Sequence, residues 1–167
     1  SGFACLFYGA PGTGKTETVL QLARQTGRNL VEVNVDEIKS KWVGESEQNI
    51  KEVFTRYRNM VKHSKVAPIL FFNEADAIFG KRLKNITRSV DKMENSMQNI
   101  ILEELESLDG ILIATTNLTC NLDGAFERRF LYKIEFNKPS VEAKCAIWQS
   151  MISALSTEDA LMLAERY

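Results

Sequence analysis

Histidine is almost missing from this chain: His63 is the only one. A His-rich metal site and the H-E-x-x-H pattern of metalloproteases are therefore excluded, since each needs at least two imidazoles. Cysteine is scarce as well. Cys5, Cys120 and Cys145 stand far apart with no C-x-x-C pair, so three reduced, mostly buried thiols in a cytoplasmic protein are expected rather than a disulfide framework. No sign of charge dominates. Lys and Arg total 21 against 22 Asp and Glu, a net charge of −1. That balance supplies no global field toward nucleic acid or anionic membrane, so nucleic acid is not an expected partner, although a local basic patch stays open. No apolar run approaches the roughly 20 residues of a membrane helix. Residues 3–8 are apolar but too short for the core of a signal peptide.

What is present is an ordinary globular composition over 167 residues, 44% hydrophobic and 26% charged. That suffices for one domain with a real core and part of a second. Both ends read as cut: residue 1 falls just before a strand, and Tyr167 ends a helical pattern without a stop signal. A piece of a longer protein is expected.

The periodicity alternates strands with helices. Strands are expected at 3–8, 30–35, 69–72, 111–115 and 131–136. The run Ile69-Leu70-Phe71-Phe72 after Pro68 is too continuous for a half-exposed strand and fits a central parallel one. Helices are expected at about 15–26, 45–63 and 92–108, with Ile50, Val53, Phe54, Tyr57, Met60 and Val61 on one face of the second. The result is an α/β fold, a five-stranded parallel sheet covered on both faces by helices. After Pro139 the pattern turns purely helical, with Ser140 opening one helix and Ser156-Thr157-Glu158-Asp159 another.

Between the first strand and first helix lies Gly9-Ala10-Pro11-Gly12-Thr13-Gly14-Lys15-Thr16. The spacing G-x-x-x-x-G-K-T in the context strand–loop–helix is the Walker A pattern, and it implies bound ATP and magnesium. Glycines let the backbone close on phosphates, whose charge meets successive N–H groups and the helix N-terminus. Lys15 is expected on the β- and γ-phosphates and the Thr16 hydroxyl on magnesium, with Glu17 next in the nucleotide-binding stretch. The alternative is a Gly/Pro-rich turn.

A second acidic site is expected where another buried strand ends. Here that strand ends Phe71-Phe72-Asn73-Glu74-Ala75-Asp76. Glu74 is placed to polarise a water for in-line attack on the γ-phosphate, or else simply starts a helix. Asn73 stands where an Asp is expected. It can hydrogen-bond a magnesium-bound water but lacks the charge that favours a hard cation, so weaker magnesium binding is expected. Asp76 is expected to cap the short helix that follows.

These segments together resemble the AAA+ ATPases, more narrowly the AAA group of ring-forming protein remodellers, over nearly the whole chain. Walker A is residues 9–16, Walker B is 69–74, Thr115-Thr116-Asn117 is similar to the family's A-T-N, and residues 122–130 are similar to its second region of homology. The resemblance implies a three-layer αβα P-loop NTPase core over 1–138, and the beginning of a helical lid over 139–167. It implies that Asn117 orients the attacking water with Glu74. It implies that Arg128 and Arg129 are arginine fingers reaching a neighbouring subunit's nucleotide; the stretch is shorter than the family's R-P-G-R-F, so which Arg matches which finger stays open. Residues Trp42, Val43 and Gly44 are similar to the family's first pore loop, which grips unfolded polypeptide; Trp42 packing on its own domain is the other reading. Residues 81–92 fall where a second pore loop would be, or are plain solvated surface.

Three functions follow as expectations. The first is a magnesium-dependent ATPase in a homo-hexameric ring that threads or remodels protein. The second is a nucleotide-gated interaction module, slow in turnover because of Asn73. The third, a DNA-associated loader, is disfavoured by Trp42-Val43-Gly44 and by the neutral charge.

Overall fold

The computed structural model describes residues 2–39, 45–80, 89–117 and 122–167. The order of elements is β1 (Phe3–Tyr8), α1 (Lys15–Thr26), β2 (Leu30–Val33), α2 (Val35–Lys39), α3 (Glu45–His63), β3 (Ile69–Phe72), α4 (Asp76–Phe79), α5 (Ser89–Glu106), β4 (Ile111–Thr116), α6 (Gly124–Arg129), β5 (Tyr132–Glu135), α7 (Val141–Met151) and α8 (Thr157–Arg166). The chain divides into two compact units, Ser1–Phe136 and Asn137–Tyr167.

The first unit is built on one sheet of order β2-β3-β4-β1-β5 in which every pairing is parallel. Strands that point the same way must be joined by crossovers, and the apolar strands let helices cover both faces. Alternation along each strand sorts the core into two clusters. Ala4, Leu6, Leu70, Phe72, Leu112 and Ala114 face the larger one, with Ile50, Phe54 and Tyr57 of α3 and Met97, Ile101 and Leu105 of α5. Cys5, Phe7, Ile69, Phe71 and Ile113 face the other, with Val19 and Ala23 of α1. Burial pushes the Cys5 thiol up to about 11.

Four expectations are corrected. Residues 34 and 35 do not extend β2. Asn34 Oδ1 instead accepts the Glu37 N–H at 3.2 Å, as an N-terminal cap does, and α2 begins at Val35. Helix α5 starts at Ser89, three residues before the apolar periodicity becomes visible. Met60 of α3 is exposed rather than in the core. The sheet is not covered throughout: all four residues of β5 are exposed, because neither apolar cluster extends onto this edge strand.

Tyr57 ties α3 to the base of the sheet. Its buried hydroxyl accepts the Ile111 N–H at 2.7 Å and has the Pro68 carbonyl at 2.8 Å as an acceptor, so it joins the starts of β3 and β4. Gly110 is needed beside it, because at φ 140 a Cβ there would lie 2.4 Å from the Tyr57 oxygen. In the second unit, the hydroxyl of Ser140 caps α7 by accepting the Ala143 N–H, and that of Ser156 caps α8 by accepting the Asp159 N–H. Ala160 and Ala164, one turn apart, are the buried residues of α8.

Tyr57→Phe should destabilise the fold by about 1–3 kcal/mol, because it strands the Ile111 N–H without a partner. Urea unfolding should show a lower midpoint at unchanged slope. An unchanged midpoint would mean that the hydroxyl holds nothing.

Candidate nucleotide site

In an open parallel sheet ligands collect outside the carboxyl ends of the strands. Here β4 lies between β3 and β1, so the tips of these three strands stand side by side. The loop after β1 supplies residues 9–14. Gly9 is fixed there by packing: at φ 139 a Cβ would fall 2.2 Å from the Phe136 carbonyl oxygen. Gly14 at φ 90 precedes α1 with no side chain capping the helix, and a Cβ built on it meets only open space. The first-turn N–H groups of α1 therefore face the loop as an anion site.

Lys15 is buried, and its Nζ donates to the carbonyls of Gly9 at 2.8 Å and Ala10 at 2.7 Å. Burial lowers its pKa; the negative charges of Asp76 and Glu74 oppose that shift. Thr16 donates its hydroxyl proton to Asn73 Oδ1 at 3.0 Å, which leaves the hydroxyl lone pairs free for a cation. A hydroxyl and an amide oxygen that meet in this way fit a hard cation, which takes oxygen ligands. The loop fits phosphate.

Asn73 is the centre of a small network. Its Oδ1 also accepts the Thr115 hydroxyl at 2.9 Å, and its Nδ2 donates to Glu32 Oε1 at 3.3 Å. Because a carboxylate can only accept, Glu32 settles which end of the amide faces β2. Thr115 in turn accepts the Glu74 N–H at 3.0 Å. Glu74 sits at φ 53, a left-handed conformation that costs a side-chain-bearing residue about 1 kcal/mol or more and is concentrated at functional sites.

Asp76 does not cap α4, contrary to expectation; Ala75 precedes that helix with no side-chain cap. The Asp76 carboxylate instead accepts the Thr116 hydroxyl at 2.5 Å and the Asn117 N–H at 2.8 Å, since bonds to an ionised acceptor from two aligned donors outcompete a local cap. With Ala75 N–H donating to the Thr115 carbonyl at 2.9 Å, the tips of β3 and β4 are closed together.

One cleft of about 190 Å³ is lined by residues 11–17, Glu74, and Thr115 to Asn117, while Asn73 lines a neighbouring one with Glu32 and Glu74. Lys15, Thr16, Glu74 and Asn117 are thus brought together. Arg128 and Arg129 are not among its lining residues. They end α6, where Asp123 caps by accepting the Ala125 N–H at 2.8 Å. Arg129 is ion-paired with Glu106 of α5. Arg128 is exposed and has no ion-pair partner among the described residues. Trp42, Val43 and Gly44 lie outside the described residues, as do residues 81–88 of the second proposed pore loop.

Sequence reasoning missed Glu32 and Thr115. Glu32 reads as the outward polar residue of an alternating strand. Thr115 had a signal, because it stands where the A-T-N pattern has Ala, and its extra hydroxyl is what binds Asn73.

The fold and the loop define a P-loop nucleotide-binding domain. Residues 5–138 match the family described as ATPase family associated with various cellular activities (AAA), and the chain belongs to that family. It is 35% identical over 157 residues to the ATPase family gene 2 protein of Saccharomyces cerevisiae, covering 92% of this chain and 19% of that protein. It is 35% identical over 162 residues to the 26S proteasome regulatory subunit 7 homolog B of Arabidopsis thaliana, covering 92% and 33%. Against Cell division protein C of Sulfolobus acidocaldarius it is 30% identical over 146 residues, covering 83% and 38%. The chain therefore spans between about a fifth and two fifths of the lengths of these relatives. A chain in the HORMA:CdnC:Trip13 complex of E. coli MS115-1 has the same fold at TM-score 0.77 and 20% identity, covering 97% of this chain and 57% of that one. No helix among the described residues is long and apolar enough to cross a membrane.

Asp76→Ala should destabilise the domain by about 1–3 kcal/mol, as it removes the carboxylate that accepts the Thr116 hydroxyl and the Asn117 N–H. Asp76→Asn, which keeps an acceptor oxygen, should recover most of that loss in urea unfolding. Equal losses for both variants would show that the hydrogen bonds do not hold the tips together.

Proposed function

We propose that this chain binds ATP with magnesium in the cleft between the β1, β3 and β4 tips and hydrolyses it as one subunit of a ring that remodels protein. The observation that carries this reading is the meeting of Lys15, Thr16, Glu74 and Asn117 in a single cleft. The loop amides and the α1 N-terminus take the phosphates, and Lys15 adds its charge at the floor of the loop. Thr16 directly, and Asn73 through a water, are the residues that would hold magnesium, which when bound offsets phosphate charge. Glu74 accepts a proton from the attacking water, and the Asn117 amide orients that water. The strained Glu74 backbone, tied to Thr115, aims the carboxylate before substrate arrives.

In a hexamer we assign the finger that completes a neighbour's site to Arg128 ahead of Arg129. Arg128 lacks an ion-pair partner among the described residues, whereas Arg129 is engaged with Glu106. A permanently charged, planar guanidinium suits the charge that develops on a transferred phosphoryl group. Trp42, Val43 and Gly44 form the grip on the protein substrate in this reading. Cys5 and Cys145 are free thiols, which suits a cytoplasmic setting.

In the intact protein, Glu74→Gln should lower kcat for ATP by about 100-fold or more while nucleotide still binds. Steady-state turnover alongside titration with fluorescent ATP reads both; undiminished turnover would remove Glu74 from the base role. Specific ATPase activity should also rise steeply with protein concentration, and Arg128→Ala should flatten that rise. A flat profile in the unmodified protein would rule out fingers supplied by a neighbour.

A further inference from the structure

The site departs from its expected chemistry at residue 73, which brings an amide where a carboxylate would hold negative charge near the cation. The structure places a carboxylate beside that amide. Glu32 of β2 and Phe71 of β3 are register partners, so Glu32 lies on the face of the sheet that Asn73, two residues past Phe71, shares. A glutamate is long enough to reach past the strand end, and Glu32 Oε1 accepts from Asn73 Nδ2 at 3.3 Å. The opposite end of the same amide accepts from Thr16 at 3.0 Å. A short chain of bonds therefore runs from the Glu32 carboxylate through the Asn73 amide to the Thr16 hydroxyl, the residue whose lone pairs are left for a cation.

We propose that Glu32 is a positioning residue for the magnesium site, supplying through the Asn73 amide the negative charge that residue 73 itself does not carry. This rests on the reading of the cleft as a magnesium–nucleotide site. Two physical effects act together. A carboxylate accepting from Nδ2 polarises the amide and strengthens Oδ1 as an acceptor, and hydrogen bonds in series reinforce one another. The charge itself would also attract a bound divalent cation through space. Because Glu32 is solvent-exposed and screened, the expected effect is several-fold rather than many orders of magnitude. The same contact explains why an amide stands at 73. A carboxylate there would present a second negative oxygen to Glu32 at close range. Thr115 joins the arrangement, because its hydroxyl also donates to Oδ1 at 2.9 Å.

The test uses Mn2+ as the probe of the magnesium site, titrated into intact protein holding a non-hydrolysable ATP analogue and followed by electron paramagnetic resonance. Glu32→Gln keeps an acceptor for Asn73 and removes only the charge. It should weaken Mn2+ binding by about 3- to 10-fold, while nucleotide affinity measured in EDTA moves far less or rises. The exchange Glu32→Gln with Asn73→Asp should return Mn2+ affinity to the starting level or better. Asn73→Asp alone should melt at a lower temperature in EDTA than the exchanged pair does. Unchanged Mn2+ affinity in Glu32→Gln, no recovery in the exchanged pair, or equal melting of the single and paired variants would each overturn the proposal. Unmodified protein that binds the analogue no better with Mn2+ than in EDTA would overturn both this proposal and the nucleotide reading beneath it. Metal-dependent binding that Glu32→Gln leaves intact overturns this proposal alone.

Discussion

The placement of β4 between β3 and β1 is the constraint on which the site depends. A strand in the middle of a parallel sheet has its backbone paired on both sides, so its ends cannot drift relative to either neighbour. At the base, the Tyr57 hydroxyl joins the entry points of β3 and β4. At the top, Thr115 and Asp76 join their exits. Between these two fastenings the strands are largely apolar and buried, and polar side chains emerge at the tips. The geometry of Glu74 and Asn117 follows from that closure rather than from local preference. Glu74 in particular is held in a conformation that a free chain would leave.

The polar network at the strand tips is self-consistent in its departures. Asn73 and Thr115 each differ from the pattern the family resemblance suggests, and the two are hydrogen-bonded to each other. An aspartate would have accepted from every side. An asparagine must have an acceptor for its Nδ2, and Glu32 is that acceptor. Buried and half-buried polar groups are costly when unpaired, so a change of one member of such a cluster alters what its neighbours must be. Seen this way, Asn73 is one part of a rearranged site rather than an isolated defect.

The single chain holds only part of the chemistry that its family implies. The cleft is lined by the loop, Glu74 and Asn117, whereas both arginines of α6 lie outside its lining. On the proposed reading, this placement separates nucleotide binding within one chain from completion of the charge pattern around the phosphates by a neighbour.

Several features were legible from residues alone. The phosphate loop, α1, α3 and the buried strands announce themselves through short-range rules: glycine spacing, a period of 3.6, and continuous apolar runs. Those rules work because they concern neighbours along the chain. They fail where the decisive partner is distant in sequence. Asp76 reads as a helix cap, yet it answers to Thr116 and Asn117, some 40 residues away. Glu32 reads as plain strand surface, yet it faces Asn73, 41 positions on. The exposure of β5 could not be read either, since its alternation resembles that of a covered strand and only the extent of the packed core decides it. The sequence alone thus determined the class of loop and the strand–helix alternation. Tertiary structure decided the partners of Asn73 and Asp76, because hydrogen bonding and Coulomb attraction act over ångströms in space and not over positions in a chain.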